Sequence, residues 1–159
     1  MGSILEQISQ YLNTVVEKSL LVLGSAICLI LFAQVIFRYA GASLGWSEEV
    51  SRHLLVAITF LGSTAAYKRA NFIGLKGIGY WLGPTTARAI VFLLQGLTLA
   101  CFLVITGFGA VYTLKAWHHT SSSLQIPMAI PFGVIPIAAL ILVVHVLSDM
   151  AKAGTRSAS

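Results

Sequence analysis

Four long apolar runs, each bounded by charged or aromatic residues, organise this chain. Leu20–Phe37 carries no charge and ends in Arg38-Tyr39, a cation and a ring of the kind that hold helix ends at lipid headgroups. It predicts a first membrane span over residues 20–39. The second run, Leu54–Ala66, is too short to cross a bilayer alone. A hydrocarbon core about 30 Å thick needs roughly 20 helical residues, and counting back from Tyr67 reaches Glu48. The second span is therefore predicted over 48–67, with Ser47 as its N-cap. Ala89–Leu114 is free of charge throughout and predicts a third span over 89–114, closed by Lys115, Trp117, His118 and His119. Pro131–Leu147 predicts a fourth, with Pro136 in its first turn or at a kink.

Two further segments have their own patterns. Between residues 4 and 16, Ile4, Leu5, Ile8, Tyr11, Leu12, Val15 and Val16 recur at spacings of three and four, one apolar stripe on a helix suited to the membrane surface or to a partner. Asn71–Pro84 (NFIGLKGIGYWLGP) is rich in glycine and aromatics and predicts an interfacial loop or a short re-entrant helix. The predicted fold is thus all-α: residues 1–159 form a single integral membrane domain. It is a bundle of four transmembrane helices with an N-terminal amphipathic segment and an interfacial loop between spans two and three.

Composition agrees with this pattern. Of the 159 residues 57 % are hydrophobic and 9 % charged, with mean hydropathy +0.88; a soluble domain is about one quarter charged. The N-terminal residues have no uninterrupted apolar run and no A-x-A-like cleavage site, so they do not read as a signal peptide. Net charge is +5, but the cations are scattered, which disfavours nucleic acid as a partner and points to lipid headgroups and membrane topology. Placing both termini in the cytoplasm puts Lys18, Lys68, Arg69, Lys76, Arg88, Lys152 and Arg156 inside and Arg38, Arg52 and Lys115 outside. That asymmetry favours cytoplasmic termini. Cys28 and Cys101 lie in apolar runs without metal-ligand spacing and read as small hydrophobes.

The densest chemistry lies between spans one and two. The short loop Ala40–Trp46 brings Arg38 near the start of the second helix, where Glu48 and Arg52 are i, i+4, Glu49 and Arg52 are i, i+3, and Glu49 and His53 are i, i+4. Two carboxylates can then balance Arg38 and Arg52, and both fall in the first turn, where the helix dipole favours them. Three readings stay open: a marker of the membrane surface, a polar knot fixing the hairpin or a partner subunit, and a proton- or ion-carrying site. Adjacent His118 and His119 do not share a helix face and argue against a metal site, and His145 reads as a satisfied bundle histidine. Without a nucleophile beside a base, a phosphate loop or paired carboxylates in a pocket-like context, enzyme activity and a cofactor have no support. Gly62-x-x-x-Ala66, Gly96-x-x-x-Ala100 and Thr106-x-x-x-Ala110 offer small-residue faces for neighbouring helices.

These residues carry a family likeness. Phe37-Arg38-Tyr39, then Ser43-Leu44-x-Trp46-Ser47-Glu48-Glu49-Val50-x-Arg52, Phe60-Leu61-Gly62 and Lys68-Arg69 resemble the small membrane subunit (Q-type) of the tripartite ATP-independent periplasmic (TRAP) transporters. Ser123-Leu124-Gln125-Ile126-Pro127-Met128 and Ile135-Pro136 resemble the approach to that family's fourth span. Ala70, Phe72, Lys76 and Ala129 depart from the pattern. The resemblance implies a small permease subunit of a bacterial inner-membrane, sodium-coupled importer of an organic acid. It would scaffold a large membrane subunit, which holds the substrate and sodium sites, and be a candidate dock for a periplasmic substrate-binding protein. Arg38, Trp46, Glu48, Glu49 and Arg52 are the motif positions. The alternatives are a small four-helix proton-coupled exporter, which needs a carboxylate in mid-helix, and a non-transport membrane assembly protein.

Overall fold

A computed structural model describes the backbone of residues 2–42, 44–81 and 84–156, and the side chains of residues 4–42, 44–69, 86 and 89–151. The described residues are helical apart from turns and one isolated bridge. Helix α1 is Gly2–Tyr39, α2 is Gly45–Trp81 and α3 is Pro84–Lys115. A turn of 3-10 helix at Ala116–His118 leads into a loop, then the short α4, Ala129–Phe132, and the long α5, Val134–Arg156. Three stretches are long and apolar enough to cross a membrane: Ile4–Tyr39, Ala89–His118 and Ala129–Ala151. Helix α2 falls outside that set, as its charged start and its lower hydropathy after Ala66 lead one to expect.

Two segments read as separate from the spans are continuous with them. Residues 4–16 are the first third of α1, because no proline or glycine interrupts the chain between Ile4 and Leu23. The apolar stripe splits along its length. Leu5, Leu12 and Val16 turn inward with Ser9 among them, while Ile4, Ile8, Tyr11 and Val15 are exposed. Residues 71–81 continue α2 rather than forming a loop; Leu82 and Gly83 lie outside the described residues. Interior glycine costs only about 1 kcal/mol relative to alanine, which a long helix already nucleated from Gly45 can absorb. At about 1.5 Å per residue, the 38 residues of α1 and 37 of α2 run well beyond a 30 Å core.

The connection between α1 and α2 has a specific cause. Gly41 adopts φ +77°, the left-handed conformation that glycine takes without a Cβ penalty. Its N–H donates to the Arg38 carbonyl at 3.2 Å, and the Ala42 N–H reaches back to Phe37 O at 3.0 Å. This pair of bonds is a Schellman motif. Ser47 does not cap α2. The helix starts two residues earlier, and the buried Ser47 hydroxyl donates to the Leu44 carbonyl at 2.7 Å.

Helix α5 is the hub. It packs on α1, α2 and α3, while α3 touches α2 only slightly. Its buried side chains Ala138, Ala139, Leu142, Val143, His145 and Val146 recur at helical spacing, and five of them are half of the ten buried apolar side chains among the described residues. Ser47, Ser51, Ala57, Thr64 and Ala65 are the buried positions on α2 among the described residues, small enough for backbones to approach closely, as lipid-embedded packing requires. On α3 the close approach is at Gly109, where a Cβ would stand 3.5 Å from Pro136 Cβ. Gly96 faces open space instead, so the Gly96-x-x-x-Ala100 stripe takes no helix among the described residues. Pro136 sits in the first turn of α5. Lacking an N–H, it cannot bond the Phe132 carbonyl, and the helix breaks into α4 and α5 around Gly133. A Tyr112–Phe132 edge-to-face pair at 5.4 Å closes α3 onto α4.

Candidate functional site at the two ends of the bundle

At the end marked by the α1–α2 turn, the five motif residues come close together in the chain but do not form one network. Arg38 lies in the exposed last turn of α1, and among the described residues no ion pair links it to Glu48 or Glu49. Glu48 pairs with Arg52 at 3.7 Å, with the two side chains 76 % and 72 % exposed. Such a pair is worth about 0–1 kcal/mol. Trp46, the second residue of α2, is 44 % exposed.

Glu49 does something the spacing did not suggest. Its Oε2 accepts the Ser123 backbone N–H at 2.9 Å across 74 positions of sequence, and the Ser121 hydroxyl bonds the same carboxylate. The balance of Glu49 against Arg52 and Arg38 is therefore replaced by an anchor on the α3–α4 loop. That loop is itself ordered. Ser121 N–H donates to Ile126 O at 2.9 Å and Met128 N–H to His119 O at 2.8 Å. Thr120 and Pro127 form an isolated antiparallel bridge, and Gln125 takes φ +53° at the bend. Ser121 is buried, and its Oγ accepts the Leu124 N–H. The stretch SSSLQIP, which contains most of the Ser123–Met128 motif, is a tight hairpin that presents the Ser123 N–H and the Ser121 hydroxyl to Glu49.

At the opposite end, α1 and α2 are joined by Arg69 and Glu17 at 3.0 Å, with Asn13 Nδ2 also donating to Glu17 at 3.2 Å. Glu17 precedes the apolar run that starts at Leu20; the Arg69 hydrogen bond, and after it that of Asn13, hold its carboxyl below the ordinary carboxylate range. Deeper in, the Lys68 ammonium donates to Ser9 Oγ, which lies 2.8 Å from His145 Nδ1. Sequence reading placed His145 as a bundle histidine and gave it no partner. The only signal was a serine at the centre of the inward Leu5–Leu12–Val16 face. His118 and His119 are exposed, and among the described residues no three His, Cys, Asp or Glu side chains cluster as a metal site. Cys28 and Cys101 are free and point outward. The side chains of Ala70, Phe72, Lys76, Arg88, Lys152 and Arg156 lie outside the described residues.

Long apolar helices, charges kept outside their apolar runs and an outward surface dominated by leucine, isoleucine, valine and phenylalanine define a multi-pass membrane protein. Residues 27–155 match the sequence profile of the tripartite ATP-independent periplasmic transporters, DctQ component, and the chain belongs to that family, the small permease subunits of TRAP transporters. It is 29 % identical over 152 residues to the isethionate TRAP transporter permease protein DctMQ of Oleidesulfovibrio alaskensis, covering 89 % of this chain and 24 % of that protein. It is 22 % identical over 105 residues to a protein of Haemophilus influenzae named as a TRAP transporter small permease protein, covering 65 % of each. The chain thus spans about a quarter of the first relative and just under two thirds of the second.

Proposed function

We propose that the chain scaffolds a separate large transport subunit in a secondary-active, sodium-coupled importer of an organic acid, and that a periplasmic substrate-binding protein docks on the assembly. It lies in the bacterial inner membrane, crosses it four times and keeps both termini in the cytoplasm. The observation that carries this reading is the position of its acidic groups. The five carboxylates are Glu6, Glu17, Glu48, Glu49 and Asp149, all outside the charge-free runs Leu20–Phe37, Leu54–Ala66, Ala89–Leu114 and Pro131–Leu147. Glu17, Glu48 and Glu49 are engaged by Arg69, Arg52 and the α3–α4 loop.

A carrier of ions or substrate acids needs charged or unwound-backbone ligands near the midplane. This chain offers neither among its described residues, so the transport site belongs elsewhere. The DctMQ relative supports a large partner, because its name joins M and Q designations in a protein of which this chain matches a quarter. The same name supports a small organic anion as substrate. Counting α2 as a span adds one crossing to three apolar helices, and an even number returns both termini to one side. The excess of lysine and arginine near that side favours the cytoplasm. Trp46, Arg38 and Arg52, exposed at the outer end, are then available to a partner.

The test is copurification. A tagged copy expressed from its native genetic context should bring down a large membrane protein in near one-to-one amount in mild detergent. Recovery of the chain alone, or only as its own dimer, would contradict the scaffold and favour the small-exporter reading.

A further inference from the structure

Ser9 of α1, Lys68 of α2 and His145 of α5 form one hydrogen-bonded chain where three helices meet. Ser9 and His145 are both 0 % exposed. Donor capacity gives the chain a direction. An ammonium only donates, so Ser9 Oγ accepts from Lys68. The serine hydrogen then points at His145 Nδ1, 2.8 Å away. The reverse arrangement, with an Nδ1–H donating to Ser9, leaves the hydroxyl hydrogen without an acceptor in a fully buried site, which is costly. The neutral ring therefore carries its hydrogen on Nε2, a buried atom with no hydrogen-bond partner among the described residues.

We infer that His145 is a proton-operated latch: neutral, it fastens the first third of α1 to α2 and α5, and protonated, it releases that segment. A proton added at Nδ1 turns the acceptor into a donor. Ser9 Oγ would then face two cationic donors at once while its own hydrogen lost its acceptor. Charged groups lie near the site on three helices. On α1 the carboxylates are Glu6 and Glu17, and Glu17 is already held by Arg69. On α2 the group is Lys68, the charge whose field bears on the ring. On α5 it is Asp149, one turn further along. The described side chains of α3 carry their one charge, Lys115, at the opposite end, and α4 carries none. Among the side chains of the segment, Ser9 and Val16 are the buried ones.

The test uses the full chain in lipid nanodiscs. Amide hydrogen exchange of residues 4–16, corrected for its intrinsic rate, should rise about tenfold or more between about pH 8 and about pH 5, the interval in which histidine changes charge. His145→Asn keeps an acceptor oxygen near the Nδ1 position but takes up no proton, so protection should stay flat with pH. A wild-type profile that does not respond to pH, or an Asn variant that opens with acid as the wild type does, overturns the latch. Should the Asn variant fail to fold, ring 15N shifts of wild-type His145 decide, assigned with His53, His118 and His119 changed to Gln. Hydrogen on Nε2 at neutral pH supports the latch, and hydrogen on Nδ1 refutes it.

Discussion

Replacing Leu142 with alanine should cost about 2–5 kcal/mol of stability, the range for emptying a filled core position. Leu142 is 2 % exposed and sits mid-way along α5, the one helix packed against α1, α2 and α3. A cavity there loosens every helix pair at once, and lipid cannot fill it without parting the bundle. Leu93 on α3 is the control. It is 73 % exposed, already faces lipid or a partner, and its change to alanine should shift the midpoint of unfolding little. Denaturant unfolding in detergent, followed by helix content, compares the two. Equal losses at both sites would mean that α5 is not the hub.

The second large effect is local. Glu49→Ala removes the acceptor of the Ser123 N–H and of the Ser121 hydroxyl together, so the loop from His119 to Met128 should lose its anchor while the helices remain. Amide exchange at residues 121–124 should rise several-fold, and trypsin or chymotrypsin should cut there sooner. Arg52→Ala breaks only an exposed pair and should leave loop exchange and chain stability within about 0.5 kcal/mol of the wild type. Both variants are expected to weaken assembly with a partner more than they move the pH dependence of uptake. For Glu49 the route is a displaced loop, and for Arg52 it is loss of a cation from the outer surface. A normally assembled complex with a shifted pH optimum would point to a proton site at this end.

Much of this was legible in the order of residues because the bilayer imposes strict rules. Length and charge counts place Leu20–Tyr39 inside α1 and Ala89–Leu114 inside α3, whereas Pro131–Leu147 begins in α4 and crosses the break at Gly133 into α5, with Pro136 in the first turn of α5, one of its two expected positions. Local periodicity also found the Glu48–Arg52 pair. Longer-range partnerships were another matter. Nothing about the spacing of Glu49 from Arg52 and His53 reveals that its partner lies 74 residues on, because a loop's backbone N–H groups leave no mark in side-chain pattern. Helix continuity was misjudged for a related reason. Residues 4–16 and 71–81 look distinct by composition, but a helix stops only where a breaker or a competing bond stops it, as Gly41 and Pro136 do.

His145 shows the same limit from the other side. A histidine in an apolar run is usually bonded to something, and the sequence could not say to what. Ser9 and Lys68 stand on different helices, 136 and 77 positions away in the chain, and meet it only once the α1–α2 hairpin is laid against α5. Family likeness could supply the identity of the subunit without supplying either contact.

Reconstituted uptake tests the central claim most directly. The account predicts that proteoliposomes containing this chain alone accumulate no organic acid under a sodium gradient. Liposomes with the large subunit, this chain and the binding protein should do so, and those lacking this chain should not. Accumulation by the chain alone would contradict the account.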